Sequence, residues 1–161
     1  MCCRGLLLLV AGVGFLNAED ADKTLRVFIF AGQSNMVGSD SKVKDIDLFL
    51  PLTGLAKPRA GLPFPYCTGR ETELQSDGWV DLASADGVVG PELSFARKVT
   101  KSIKARVAII KSAAVGTRLG GDWSPDQPSG FRMNPLTLNW IRSALADPKR
   151  QKIGHRIERV L

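Results

Sequence analysis

Histidine is nearly missing from this chain, which holds one, His155, in 161 residues. Any reaction that needs an imidazole base therefore depends on that residue or on none. Cysteine is scarce too. Cys2 and Cys3 lie in the leading segment, so Cys67 stands alone in the remainder and no intrachain disulfide can form there. No apolar run reaches the roughly twenty residues of a membrane span. No internal repeat and no low-complexity tract is present, which excludes solenoids and arrays. The formal charge of +6 is modest and its lysines and arginines are scattered. The densest groups, Arg97-Lys98 with Lys101 and Lys104, and Lys149-Arg150 with Lys152, lack interleaved aromatics. They read as solvated faces, not as a nucleic-acid footprint. Phosphate binding at the Gly32–Gly38 turn is a minor rival reading, because that turn lacks the Gly-Lys-Ser/Thr ending of a phosphate loop.

The amino terminus begins Met1-Cys2-Cys3-Arg4, followed by apolar Leu6 to Leu16 and then Asn17-Ala18 before Glu19-Asp20. This pattern reads as a signal peptide over residues 1–18, cut near Ala18, and predicts a secreted or periplasmic protein without stable membrane insertion. Removing it takes away Arg4 and lowers the charge from +6 to +5. Residues 19–161 are then one domain by length, with enough apolar content for a core.

Val27-Phe28-Ile29-Phe30-Ala31 is an apolar run closed by Gly32-Gln33-Ser34-Asn35-Met36. Such a run predicts a strand over about 25–31, buried on both faces as in a parallel sheet. Ligands on these sheets bind beyond the carboxyl ends of the strands, where Ser34 falls. Prolines and glycines make residues 39–89 a long irregular excursion, with Ile46–Leu50 a short strand or turn and Trp79–Leu82 a return to the sheet edge. Cys67 is read as a loop thiol within it. Gly90-Pro91-Glu92 starts a helix with proline at its first position, and Leu93, Ala96, Val99 and Ile103 form its buried stripe. Arg106–Ser112 is a second strand, joined to the first by a parallel crossover. Asn134-Pro135 caps a second helix that Asp147-Pro148 stops, and Arg156–Leu161 begins a third strand. The fold class predicted is α/β, a doubly wound parallel sheet of flavodoxin-like type, broken off after its third strand.

The Gly-Gln-Ser-Asn-Met block after a strand resembles the first block of the SGNH hydrolases, in the sialate O-acetylesterase-like and acetylxylan esterase-like branch. Gly90-Pro91-Glu92-Leu93-Ser94-Phe95-Ala96 resembles that family's Gly-Pro-Glu helix start. Ala113-Ala114-Val115-Gly116-Thr117 with Asp122-Trp123 resembles its second block, with Val115 where a glycine is common. Three blocks in order cover residues 27–123. The resemblance implies that Ser34 is the acyl-accepting nucleophile, that the oxyanion hole draws on Ser34 and Gly116, and that neither metal nor cofactor takes part. It further implies a Gln-Gly-Glu block after the third strand and a later Asp-x-x-His supplying orienter and base. Neither is present, so the chain is expected to be the amino-terminal part of such a domain and nearly inactive alone. His155 precedes the third strand and so lies roughly 20 Å from the carboxyl end where Ser34 sits. It is expected to be a surface loop residue.

The function expected is hydrolysis of O-acetyl esters on carbohydrate through an acyl-serine intermediate, with an acetylated sugar as partner. The alternative is a secreted carbohydrate-binding protein that keeps the cleft without catalysis. Trp79 or Trp123 could line a sugar site, though a tryptophan is more often core.

Overall fold

A computed structural model describes residues 24–70, 73–126 and 128–147, and the backbone of 156–160. The expected signal peptide and His155 lie outside the described residues. Strand β1 (Thr24–Gly32) is the axis of the fold. A one-turn helix α1 (Ser34–Val37) follows, then α2 (Val43–Ile46) and a 3-10 turn at Leu50–Leu52. Four short strands come next: β2 (Arg59–Phe64), β3 (Tyr66–Thr68), β4 (Leu74–Gln75) and β5 (Val80–Leu82). Helix α3 (Pro91–Ser102), strand β6 (Arg106–Ala113), helix α4 (Met133–Ala146) and strand β7 (Arg156–Val160) complete the order.

The main sheet runs β4-β3-β6-β1-β7, and β2 with β5 forms a separate two-stranded sheet. Strands β3, β6, β1 and β7 are parallel, while the edge strand β4 is antiparallel to β3. Alternation along β1 and β6 sends side chains to two cores. On one face Phe28, Phe30 and Ile109 meet Leu93, Ala96 and Phe95 of α3. On the other, Leu25, Val27, Ala108 and Ile110 meet Ala144, Trp140 and Ile141 of α4. The sheet is therefore covered on both sides, as the doubly wound reading requires. Phe95 packs edge-on against both Phe28 and Phe30, with centroids 4.8 and 5.2 Å apart, and locks α3 to the central strand.

Four expectations are corrected. The excursion is not irregular throughout, because β3 and β4 extend the main sheet beyond β6. The return to that sheet is made by Tyr66–Thr68, whereas Val80–Leu82 pairs with β2. Ile46–Leu50 takes the turn alternative. Cys67 is not a loop thiol but a buried residue of β3. Helix α4 begins at Met133, one residue before the expected cap. The backbone N–H groups of Met133 and Asn134 donate to the carbonyl of Asp122 at 2.6 and 3.4 Å, so the main chain satisfies the helix start.

Candidate active site

The connection leaving β1 leads to α3 on one face, and the connection leaving β6 leads to α4 on the other. Adjacent parallel strands whose connections part in this way open a crevice at their carboxyl ends. Ser34 lies two residues beyond Gly32, the last residue of β1. An added Cβ at Gly32 would stand 2.9 Å from Met36 Cβ, so glycine lets α1 fold back over the strand end. The N–H groups of Met36 and Val37 donate to Gln33 O at 2.8 and 3.0 Å. Those of Ser34 and Asn35 are the first of the helix and have no intrahelical acceptor. The Ser34 hydroxyl is half-buried and donates to Gln33 Oε1 at 2.9 Å. Gly38 closes the turn with φ +90°, its N–H on Ser34 O at 2.9 Å.

Gly116 stands at the neighbouring strand end. Gly32 and Ala113 are paired in register, and the Ala114 N–H donates to Gly32 O at 3.1 Å. Gly116 has φ +69°, and an added Cβ would meet nothing within 4 Å. Glycine is thus required there by the left-handed backbone, not by crowding. The loop around it is braced. Thr117 Oγ1 donates to Ala114 O at 2.8 Å, Trp123 Nε1 donates to Thr117 Oγ1 at 3.0 Å, and the Arg118 N–H donates to Asp122 Oδ2 at 2.8 Å. Arg70, just past β3, donates to Gly116 O at 3.4 Å and lies over the Phe131 ring at 5.2 Å. The fold therefore brings the Ser34 turn, the Gly116 loop and Arg70 to three successive strand ends. Of the two tryptophans, Trp123 braces this loop. Trp79 donates from Nε1 to Ala144 O at 2.8 Å and packs in the core beneath α4.

Sequence reasoning missed a buried ion pair beside α1. Lys111 Nζ donates to Glu92 Oε1 at 2.8 Å, and each residue is only 1% exposed. The same nitrogen donates to Val37 O at 3.2 Å. Burial pushes the Lys111 ammonium below its ordinary range, against the opposing pull of the Glu92 carboxylate. The available signal was a charged residue, Lys111, set among apolar neighbours of a buried strand. A cleft of about 180 Å³ adjoins the pair, lined in part by Val37, Thr68, Asp86, Lys111 and Val115. Burial raises the Cys67 thiol above its usual range, which disfavours the nucleophilic thiolate.

No histidine is among the described residues, and none of them forms a group of three or more His, Cys, Asp or Glu side chains placed for a metal ion. None of the described helices is long and apolar enough to cross a membrane.

The fold is of the α/β class, a mainly parallel sheet covered by helices on both faces, with a serine on the turn after its central strand. A family model described as carbohydrate esterase, sialic acid-specific acetylesterase, matches residues 24–147, and the chain belongs to that family. No match was found among curated proteins or among solved structures.

Proposed function

We propose that this chain carries the nucleophile and two oxyanion donors of a serine acetylesterase acting on acetylated carbohydrate. The observation that supports it most is the register of β1 with β6, which sets the Ser34 turn beside the Gly116 loop at the mouth of the crevice. Ser34 Oγ attacks the acetyl carbonyl carbon, and its proton passes to a base. The oxygen of the tetrahedral intermediate takes the developing charge, stabilised by the N–H of Ser34 and that of Gly116. The C–O bond to the sugar breaks, the sugar oxygen recovers a proton, and acetate is released when water attacks the acyl-serine.

Among the described residues the Ser34 hydroxyl is turned to Gln33, not to an imidazole. Loss of one triad member leaves about 10³–10⁴-fold acceleration from binding and the oxyanion hole. Hydrolysis by these residues alone is therefore slow and open to rescue by a base in solution. Acetate release from an acetylated monosaccharide, with and without millimolar imidazole, tests this reading. The expected result is an imidazole-dependent rate that Ser34→Ala abolishes. An equal imidazole effect on Ser34→Ala would remove the serine mechanism and leave the carbohydrate-binding alternative.

A further inference from the structure

We infer that the Glu92–Lys111 pair is a positioning device, in which Lys111, steadied by Glu92, holds the last carbonyl of α1 and so fixes Ser34 over the crevice. The inference rests on the reading of Ser34 as nucleophile. A four-residue helix has almost no stability of its own, because nucleation costs more than one turn returns. Something outside it must set its position. Its orphan carbonyl at Val37 receives the Lys111 ammonium at 3.2 Å. The next residue, Gly38, lies so close to α3's entry that an added Cβ would stand 2.5 Å from Val89 O. The segment beyond it is tied down by Val89 N–H to Ser41 O at 2.8 Å and Val43 N–H to Gly87 O at 3.0 Å. Lys111 thus joins three elements, β6 through its backbone, α3 through Glu92 and α1 through Val37.

Stability alone does not account for the pair. Removing two charges from water costs several kcal/mol per ion, and an apolar pair of similar volume is often as stable or more so. Glu92 Oε2 is also buried without a hydrogen-bond partner, so the pair is not even fully satisfied. An apolar replacement could fill the space but could not bond Val37 O. Glu92 and Lys111, each only 1% exposed, are accordingly positioning residues that act through α1.

The test compares the full chain with Glu92→Met/Lys111→Met and with Glu92→Gln, by amide hydrogen exchange and by labelling with a serine-directed fluorophosphonate in the presence of imidazole. In the double variant the Met36, Val37, Gly38 and Ser39 amides should exchange at least tenfold faster, while those in the core of β6 stay protected. Labelling should slow at least tenfold. Glu92→Gln keeps the Lys111 amine as a donor and should retain the α1 protection. A folded double variant with α1 protection unchanged overturns the inference. If that variant does not fold, the full chain decides by NMR. Slowly exchanging Lys111 Nζ protons with cross-relaxation to Gly38 Hα support the anchor, and their absence overturns it. An adduct on the unaltered chain with α1 unchanged in the double variant defeats the anchor alone. Absence of any adduct on the unaltered chain defeats the nucleophile reading instead.

Discussion

Gly90→Ala probes the packing of the buried pair with little backbone cost. Gly90 is the residue before α3 and has φ −83° and ψ 169°, values open to any residue. Its missing Cβ is another matter. An added methyl would lie 2.3 Å from Glu92 Oε2, 2.4 Å from Lys111 Nζ and 2.7 Å from Glu92 Oε1. Both side chains are enclosed, so neither can swing into solvent, and the pair must be pushed apart or displaced as a unit. Breaking a buried pair outright costs about 3–5 kcal/mol, and partial relaxation sets the expected loss at about 2–4 kcal/mol. Loss of glycine at the cap adds only about 0.5 kcal/mol. The assay is urea unfolding of Gly90→Ala beside two controls. Gly120 has open space and no left-handed φ, so Gly120→Ala should change stability by less than about 0.5 kcal/mol. Gly61 has open space but φ +77°, so Gly61→Ala should cost about 1–2 kcal/mol from the backbone alone. In a Glu92→Ala background the Gly90→Ala loss should shrink by more than about 1 kcal/mol, the coupling expected of groups in contact. A Gly90→Ala chain as stable as Gly120→Ala would refute the enclosed pair.

Three further outcomes follow from the same geometry. The lowered Lys111 pKa means that the unfolded chain binds more protons than the folded one between the depressed value and the ordinary 10.5. Stability from this group should therefore rise with pH through that window. The unfolding free energy of the unaltered chain, measured against Glu92→Met/Lys111→Met, should grow as pH approaches 10.5, and a flat difference contradicts the direction. Cys67 should resist a thiol-specific disulfide reagent in the native chain at neutral pH and react fully in urea; rapid native reaction would show that β3 is open. Arg70→Ala should leave stability nearly unchanged, since the side chain is exposed. It should still slow imidazole-rescued acetate release by loosening the carbonyl of Gly116, and an unaltered rate would show that Arg70 does not steady that loop.

Legibility in the sequence followed the length and regularity of each element. Strand β1, helix α3 and strand β6 announced themselves through continuous apolar runs and the Gly90-Pro91-Glu92 start. Strand β6 is buried on both faces, as that pattern leads one to expect, whereas Phe28, Ile29 and Phe30 of β1 are half-buried. Strands β3, β4 and β5 span only two or three residues each, in a region punctuated by Pro63, Pro65 and Gly69. No periodicity can show in so short a stretch, and they form because β6, β3 and β2 present edges for β3, β4 and β5 in turn. The start of α4 was misplaced by two residues because the N–H groups of Met133 and Asn134 are met by the carbonyl of Asp122, a group that every residue carries. Ser34 and Gly116 were visible as small residues closing apolar strands. Lys111 and Glu92 meet across 19 residues of chain, and only the register of α3 on β6 brings them together. Arg70 reaches Gly116 across 46 residues and was invisible for the same reason.

The proposed role of Ser34 as the nucleophile at the end of β1 is tested most directly by the site of a covalent adduct. The chain is incubated with a fluorophosphonate and imidazole, digested, and the labelled peptide sequenced by mass spectrometry. One adduct is expected, on Ser34, absent from Ser34→Ala. A modified residue elsewhere, or no adduct from a chain shown to be folded, would contradict it.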